Sequence, residues 1–207
     1  MARVRVAKHV IAIILALFFS QAAKSEPEIV FSVQEKILTY DTTLSDGISD
    51  GHFQSFLEMV KKHPNVETVT LKSTGGLVWE AQRISDVVID LGLDTHVDEE
   101  CSSACSIIFL SGSTRTMALG ARLGFHRSSW TAEEIKSFYS ETSEGEDFFD
   151  FAEWLYKDTQ DEVFDELGFL LERGVDARFA IKTLQSDSDD MWYPRRAELK
   201  KAGVISD

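Results

Sequence analysis

The stretch from Leu71 to His126 decides how this 207-residue sequence folds. It opens with Leu71-Lys72-Ser73-Thr74-Gly75-Gly76, passes through Cys101-Ser102-Ser103-Ala104-Cys105, and closes on Leu123-Gly124-Phe125-His126. A glycine pair after a strand exposes backbone N–H groups that no side chain blocks. A hydroxyl residue at a strand-to-helix junction can be a nucleophile, and a histidine at the end of a later strand can be its base. These are three of the parts that an acyl-transfer site needs.

The hydrophobic pattern on either side of this stretch predicts an α/β fold. Strands are predicted at 28–39, 66–71, 95–97, 115–118 and 122–125, and helices at 53–62, 77–91, 102–110 and 196–202. Strands that alternate with helices imply a largely parallel sheet with crossover connections. Ligands in such sheets bind beyond the carboxyl ends of the strands, and both Gly75-Gly76 and His126 fall at such ends.

The segment 131–176 differs in character from the rest of the chain. Acidic and aromatic residues dominate it, and its apolar positions recur at helical spacing. We interpret it as a helical arm that projects from the core, with surplus aromatic residues that contact another copy of the chain. The alternative is an ordinary helical cap over the sheet.

The first 22 residues have the composition of an export signal. Arg3, Arg5 and Lys8 form a basic start, Val10 to Phe19 is unbroken apolar sequence, and Ser20-Gln21-Ala22 supplies small residues for cleavage. The apolar run is shorter than the ~20 residues that span a bilayer. We therefore expect a signal peptide at 1–22 and a single domain at 23–207, the alternative being an uncleaved membrane anchor.

Charge and cysteine content narrow the function further. Removing the three positive charges of 1–22 would take the formal net charge from −14 to −17. This balance argues against nucleic acid, anionic lipid or a phosphate-bearing ligand as partner. The two cysteines, Cys101 and Cys105, could form a disulfide in an oxidising compartment or remain as buried thiols. Without a nearby histidine pair they predict no zinc site, and we expect no metal or cofactor.

Ser103 is a candidate nucleophile because it stands at the start of a helix, where the N–H of Ala104 would point the same way as those of Gly75 and Gly76. Ser103 could instead be a helix N-cap without catalysis, a position where serine is favoured, and Ser102 is the rival hydroxyl. His126 could be the base or a structural histidine. The residues alone leave these alternatives open.

The ordered motifs resemble those of the Clp protease proteolytic subunit, within the wider Clp–crotonase fold. The shared features are a strand-ending glycine pair, a serine at the head of an apolar helix that ends in glycine, and an Arg-x-x-x-His motif. Here they are Gly75-Gly76, Ser103, Gly112 and Arg122 to His126. The resemblance implies a β-β-α superhelix with a projecting helical arm, a serine peptidase and a homo-oligomer. It also implies Asp190 as the acid that orients His126, with Asp189 and Asp187 as fallbacks.

The sequence departs from that family at the strand that carries the glycine pair, which Thr74 would loosen, and beside Ser103. Thr74 replaces the proline of the family motif, and the cysteines beside Ser103 are foreign to the cytosolic protease. An exported protein would have no ATP-driven partner, so the similarity points to the Clp-like periplasmic proteins of bacteria. Two other functions remain: a non-catalytic scaffold that keeps the fold, and a crotonase-type enzyme acting on an acyl thioester, which the acidity of the chain disfavours.

Overall fold

The computed structural model describes residues 30–142, 147–187 and 189–206. The expected signal peptide at 1–22 lies outside the described residues. Within the part of the chain that is described, no helix combines the length and the apolar composition needed to cross a bilayer.

A six-stranded sheet forms the centre of the fold. Its strands are β1 (Phe31–Gln34), β2 (Ile37–Asp41), β3 (Thr68–Ser73), β4 (Asp94–Ser102), β5 (Arg115–Met117) and β6 (Arg122–Gly124). The order is β1-β2-β3-β4-β5, and β6 also pairs with β4. Among the pairs formed by these six strands, only β1–β2 is antiparallel. The prediction of an α/β fold with a largely parallel sheet is therefore confirmed.

Seven helices lie among the described residues. They are α1 (His52–Lys62), α2 (Val78–Asp90), α3 (Ala104–Leu110), α4 (Ala132–Thr142), α5 (Phe148–Glu172), α6 (Ala177–Thr183) and α7 (Arg196–Lys201). The apolar face of α2 buries Ile84 and Val88 completely, and α3 buries Ile108 and Phe109. Burial of this apolar surface holds the helices on the sheet.

The predicted first strand is wrong in its extent. Where one strand was expected at 28–39, the structure has a tight hairpin of β1 and β2 from Phe31 onward. Glu35 lies in the turn with φ 54°, a left-handed conformation that glycine or asparagine usually supplies. The sequence gives no glycine signal at this turn, which is why the hairpin was missed.

Strand β4 is longer than the predicted 95–97 because it continues through an irregular segment. The pairing with β3 runs from Leu71–Val97 to Ser73–Cys101, so β4 contains two residues more than β3 over this interval. Thr95 to Val97 of β4 pair with β5, whereas Glu100 to Ser102 pair with β6. This second pairing places the end of β6 beside the end of β4.

Helices α4 and α5 occupy the segment that was predicted as a helical arm. Aromatic rings join them: Phe138 stacks on Trp154 at 5.6 Å, and Tyr139 lies 4.9 Å from Phe151 between ring centroids. The C-terminal end of α5 is attached to the core, where Arg173 donates hydrogen bonds of 3.0 Å to the carbonyls of Leu110 and Ser111.

Candidate active site

Ser103 lies in the single-residue junction between β4 and α3. Its backbone has φ 55° and ψ −131°, a combination that residues other than glycine rarely adopt. Such a backbone costs about 1–3 kcal/mol and is typical of nucleophiles held on a sharp strand-to-helix turn. The N–H of Ser103 donates to the carbonyl of Gly124 at 3.0 Å, which fastens the junction to β6.

The hydroxyl of Ser103 contacts an imidazole rather than the helix. The Oγ atom lies 2.7 Å from Nε2 of His126. No side-chain capping bond forms at Ser103, the first position before α3, so the N-cap interpretation does not describe its hydroxyl. The pairing of Ser102 with Gly124 at the ends of β4 and β6 explains the contact. Ser103 follows the end of one strand, and His126 follows the end of its neighbour.

The second ring nitrogen of His126 also has a partner. Nδ1 lies 2.7 Å from the backbone carbonyl oxygen of Arg127. A carbonyl oxygen only accepts hydrogen bonds, so Nδ1 carries the proton and Nε2 is the acceptor that faces Ser103. This is the tautomer that a general base for the serine hydroxyl requires.

Asp190, the acid that the resemblance implied, is exposed to solvent. Its backbone N–H donates to the carbonyl of Asp187 at 3.1 Å. The Arg127 carbonyl, not the Asp190 carboxylate, takes the position beside Nδ1 in this conformation. Of the two fallback acids, Asp189 is exposed and Asp187 forms an ion pair with Arg127.

Ser102, the rival hydroxyl, belongs to a separate network. Its Oγ donates to Glu100 at 2.8 Å, and Tyr193 donates to the same carboxylate at 2.6 Å. Partial burial alone would raise the pKa of Glu100, but hydrogen bonds from Tyr193 and Ser102 and the charge of Arg122 lower it. The Glu100 carboxylate therefore stays ionised at neutral pH, and the Ser102 hydroxyl donates its hydrogen bond to it.

The glycine pair packs directly against Ser103. A Cβ atom at Gly75 would lie 2.6 Å from the Ser103 Cβ and 3.0 Å from its Oγ, so only glycine fits there. The N–H of Gly75 donates to the Ser73 hydroxyl at 3.2 Å. The adjoining loop is joined to Ile48 through the Gly75 carbonyl and the Leu77 amide. The Gly75 N–H, which was expected as an oxyanion-hole donor, is therefore already bonded within its own loop.

Helix α3 begins directly after Ser103. The N–H of Ala104 belongs to the first turn, where a helix has no carbonyl of its own to accept it. Gly75 thus makes room for Ser103, and Ala104 is the next residue along the chain, at the start of the helix.

The two cysteines form a disulfide, Cys101–Cys105, that encloses Ser103 in a five-residue loop. Both sulfur-bearing residues are fully buried. Of the two alternatives left by the sequence, the structure has the bridge. Within the described residues, no three His, Cys, Asp or Glu side chains are grouped as a metal ion would require.

Comparison with known proteins identifies the fold. No protein-family model matches the sequence, and neither does any curated protein. Among solved structures, a mutant of ClpP1 from Listeria monocytogenes is similar at 15% identity, with a TM-score of 0.51 over 76% of this chain and 84% of that one. The 1510-N membrane-bound stomatin-specific protease, as a mutant in complex with a substrate peptide, is similar at 15% identity with a TM-score of 0.50. That match covers 77% of this chain and 69% of the other.

The chain has the Clp-type fold. At these identities the likeness concerns the fold alone. It agrees with the architecture that the motifs around Gly75-Gly76, Ser103 and His126 implied.

The part that Arg127 takes in the site was not predicted from the sequence. Arg127 meets His126 through its carbonyl, its N–H donates to the Ser186 carbonyl at 2.9 Å, and its guanidinium pairs with Asp187. Any residue has a carbonyl, so the type of residue at 127 could not have revealed this contact. Only the position directly after His126 could have suggested it.

Proposed function

We propose that this protein is a serine hydrolase, and specifically a peptidase, with Ser103 as nucleophile and His126 as general base. The observation that supports this most strongly is the 2.7 Å contact between Ser103 Oγ and His126 Nε2. It falls within the range that proton transfer between a nucleophile and its base requires. The strained backbone of Ser103 also supports this role. We assign the oxyanion hole to the N–H groups of Gly76 and Ala104.

The chemistry follows from the tautomer of His126. As Ser103 Oγ attacks a substrate carbonyl, its proton passes to Nε2 and a C–O bond forms. The negative charge develops on the substrate oxygen, where the amides of Gly76 and Ala104 would stabilise it. The imidazolium then gives its proton to the leaving amine as the C–N bond breaks, and water releases the acyl group by the same sequence.

The group that orients His126 distinguishes two versions of this proposal. In the observed conformation the Arg127 carbonyl holds Nδ1–H. A Ser103–His126–Asp190 triad would need the Asp190 carboxylate to replace that carbonyl. The geometry favours the carbonyl version, in which Asp190→Asn leaves kcat within about twofold of wild type. In the triad version the same change would lower kcat by a factor on the order of 10⁴.

We propose a peptide or protein as the substrate and a homo-oligomer as the working form. The similarity in fold to the 1510-N stomatin-specific protease, which was solved as a mutant with a substrate peptide, supports the proposed substrate. Exposed aromatic residues on α5 support the second: Phe149, Tyr156 and Phe164 have 79%, 68% and 67% of their surface exposed. So much aromatic surface on one helix is typical of an interface.

We further propose that the protein is exported to the periplasm. The signal-like composition of residues 1–22 supports this location, as does the Cys101–Cys105 disulfide, since such bridges persist in oxidising compartments. Fractionation of cells that express the full chain, with N-terminal sequencing of the product, tests it. Intact residues 1–22 in a cytosolic fraction would contradict it.

A fluorophosphonate probe tests the proposed activity, because it reacts only with an activated serine. Wild-type protein should be labelled, and Ser103→Ala should not. Ser102→Ala is the matched control, one residue away and of the same chemistry, and it should retain labelling. A folded wild-type protein that resists the probe would instead favour a non-catalytic scaffold with this fold.

A further inference from the structure

The carbonyl that orients His126 is itself held in place from two directions. Arg127 donates its backbone N–H to the carbonyl of Ser186 at 2.9 Å, and its guanidinium pairs with the Asp187 carboxylate. Both partners are neighbours in the segment that follows α6. Arg127 is therefore attached to this segment through both its backbone and its side chain.

The same segment also holds the residue before the histidine. Phe125 and Trp192 exchange two backbone hydrogen bonds of 2.9 Å in an antiparallel bridge. His126 thus lies between two bound residues: Arg127 contacts Ser186 and Asp187, and Phe125 contacts Trp192. The ring of His126 itself reaches toward Ser103. A shift of this segment would turn the Arg127 carbonyl away from Nδ1.

We propose that Asp187 is a positioning residue for the general base, acting through Arg127. Asp187 fixes the guanidinium, and with it the direction in which the Arg127 carbonyl faces His126. The negative charge of Asp187 also offsets the positive charge of Arg127. Arg127 is the residue next to His126, whose imidazole must become positive during the reaction. Asp187 thus orients the imidazole indirectly, through Arg127, whereas the acid of a triad orients it by direct contact. This inference rests on the proposed hydrolase function.

The tautomer of His126 provides a readout that does not depend on activity. Nitrogen-15 NMR of the histidine rings distinguishes a proton on Nδ1 from one on Nε2, and His126→Gln identifies the signal. Wild type should show the Nδ1–H form. Asp187→Asn should shift part of the neutral population to the Nε2–H form, and Asp187→Glu, which keeps the charge, should restore the wild-type spectrum.

The turnover rate should follow the same pattern as the spectra, falling in Asp187→Asn and recovering in Asp187→Glu. Asp187→Asn should lower kcat for an ester or peptide substrate by about 10-fold with KM nearly unchanged. This is the lower end of the effect seen when a group that orients a metal-bound histidine is removed. Glu67→Gln is the matched control: it also breaks one exposed ion pair, with Lys36, and should change neither kcat nor the spectrum.

A double-mutant cycle decides whether Asp187 acts through Arg127 or touches the imidazole itself. If the effect passes through Arg127, Asp187→Asn should cost nothing further in an Arg127→Ala background. An undiminished loss in that background would overturn the proposal, as would an unchanged His126 spectrum in Asp187→Asn. If wild type has no activity but the spectra respond as expected, only the proposed hydrolase function fails.

Discussion

The hydroxyl of Ser103 and the imidazole of His126 meet at 2.7 Å although 23 positions separate them in the chain. Their contact depends on the parallel pairing of β4 with β6, which is only three residues long. The N–H of Ser103 reaches the Gly124 carbonyl across the same pair of strands. One short ladder therefore places the nucleophile and its base together.

Gly75→Ala should abolish probe labelling. The added Cβ would lie 2.6 Å from the Ser103 Cβ at a φ of +107°, so Ser103 must move and the backbone is strained. We expect a stability loss of about 1–3 kcal/mol. Gly51→Ala is the control, since Gly51 also has positive φ (+84°) but nothing lies within 4 Å of an added Cβ. It should lose stability and keep its labelling; equal labelling in both variants would argue against the packing of Gly75 on Ser103.

Removing the disulfide should slow the reaction of Ser103 as well as destabilise the fold. In Cys101→Ala/Cys105→Ala the loop around Ser103 is open, and closing a loop of this size contributes about 2 kcal/mol. Thermal unfolding should report the loss of stability, and probe labelling well below the melting temperature should report the loss of rate. Labelling at the wild-type rate would mean that β4, α3 and the Ser103–Gly124 bond hold the nucleophile without the bridge.

Stability should fall as the pH rises toward neutrality because of one carboxyl group on the arm. Burial raises the pKa of Glu166 to about 7 from its ordinary value of 4.5, and the charge of Glu162 adds to the effect. The folded state then holds a proton that the unfolded chain releases, so folding becomes less favourable between about pH 4.5 and pH 7.

Glu166→Gln should remove this dependence, raising the melting temperature at pH 8 and leaving it unchanged at pH 4. Glu153→Gln on the same helix is the control. There a hydrogen bond and the charge of Lys157 lower the pKa of the carboxyl, so the substitution should bring no gain at pH 8. A Glu166→Gln protein with the wild-type pH profile would contradict the assignment.

The exposed aromatic side chains of α5 should mediate self-association. Light scattering coupled to size-exclusion chromatography should find wild type as an oligomer. Phe149→Ser/Tyr156→Ser should shift it toward the monomer without loss of helix content, because both residues are largely exposed in the single chain. Glu153→Ala/Lys157→Ala, which removes an exposed ion pair on the same helix, should leave the oligomer intact. A monomeric wild type would contradict the interpretation of the arm as an interface.

The sequence predicted the parts of the fold that depend on side-chain pattern. Alternating strands and helices indicated the parallel sheet, and the glycine pair, serine and histidine were located at the strand ends where the structure brings them together. What it did not predict depends on backbone alone. The hairpin at Glu35 has no glycine in its left-handed position, and the Arg127 carbonyl leaves no trace in residue type. The sequence did not predict that β4 continues beyond Val97 through a shift in its pairing with β3. Asp98, Glu99 and Glu100 interrupt the apolar alternation there.

The most direct test is to trap the acyl-enzyme that Ser103 and His126 would form together. After brief reaction with an activated ester and acid quenching, peptide mass spectrometry should find the acyl group on Ser103. His126→Ala should lower the rate of its formation by about 10³-fold or more, since nucleophile and base act as one unit. Acylation at another residue, or acylation of Ser103 at the same rate without His126, would contradict the central claim.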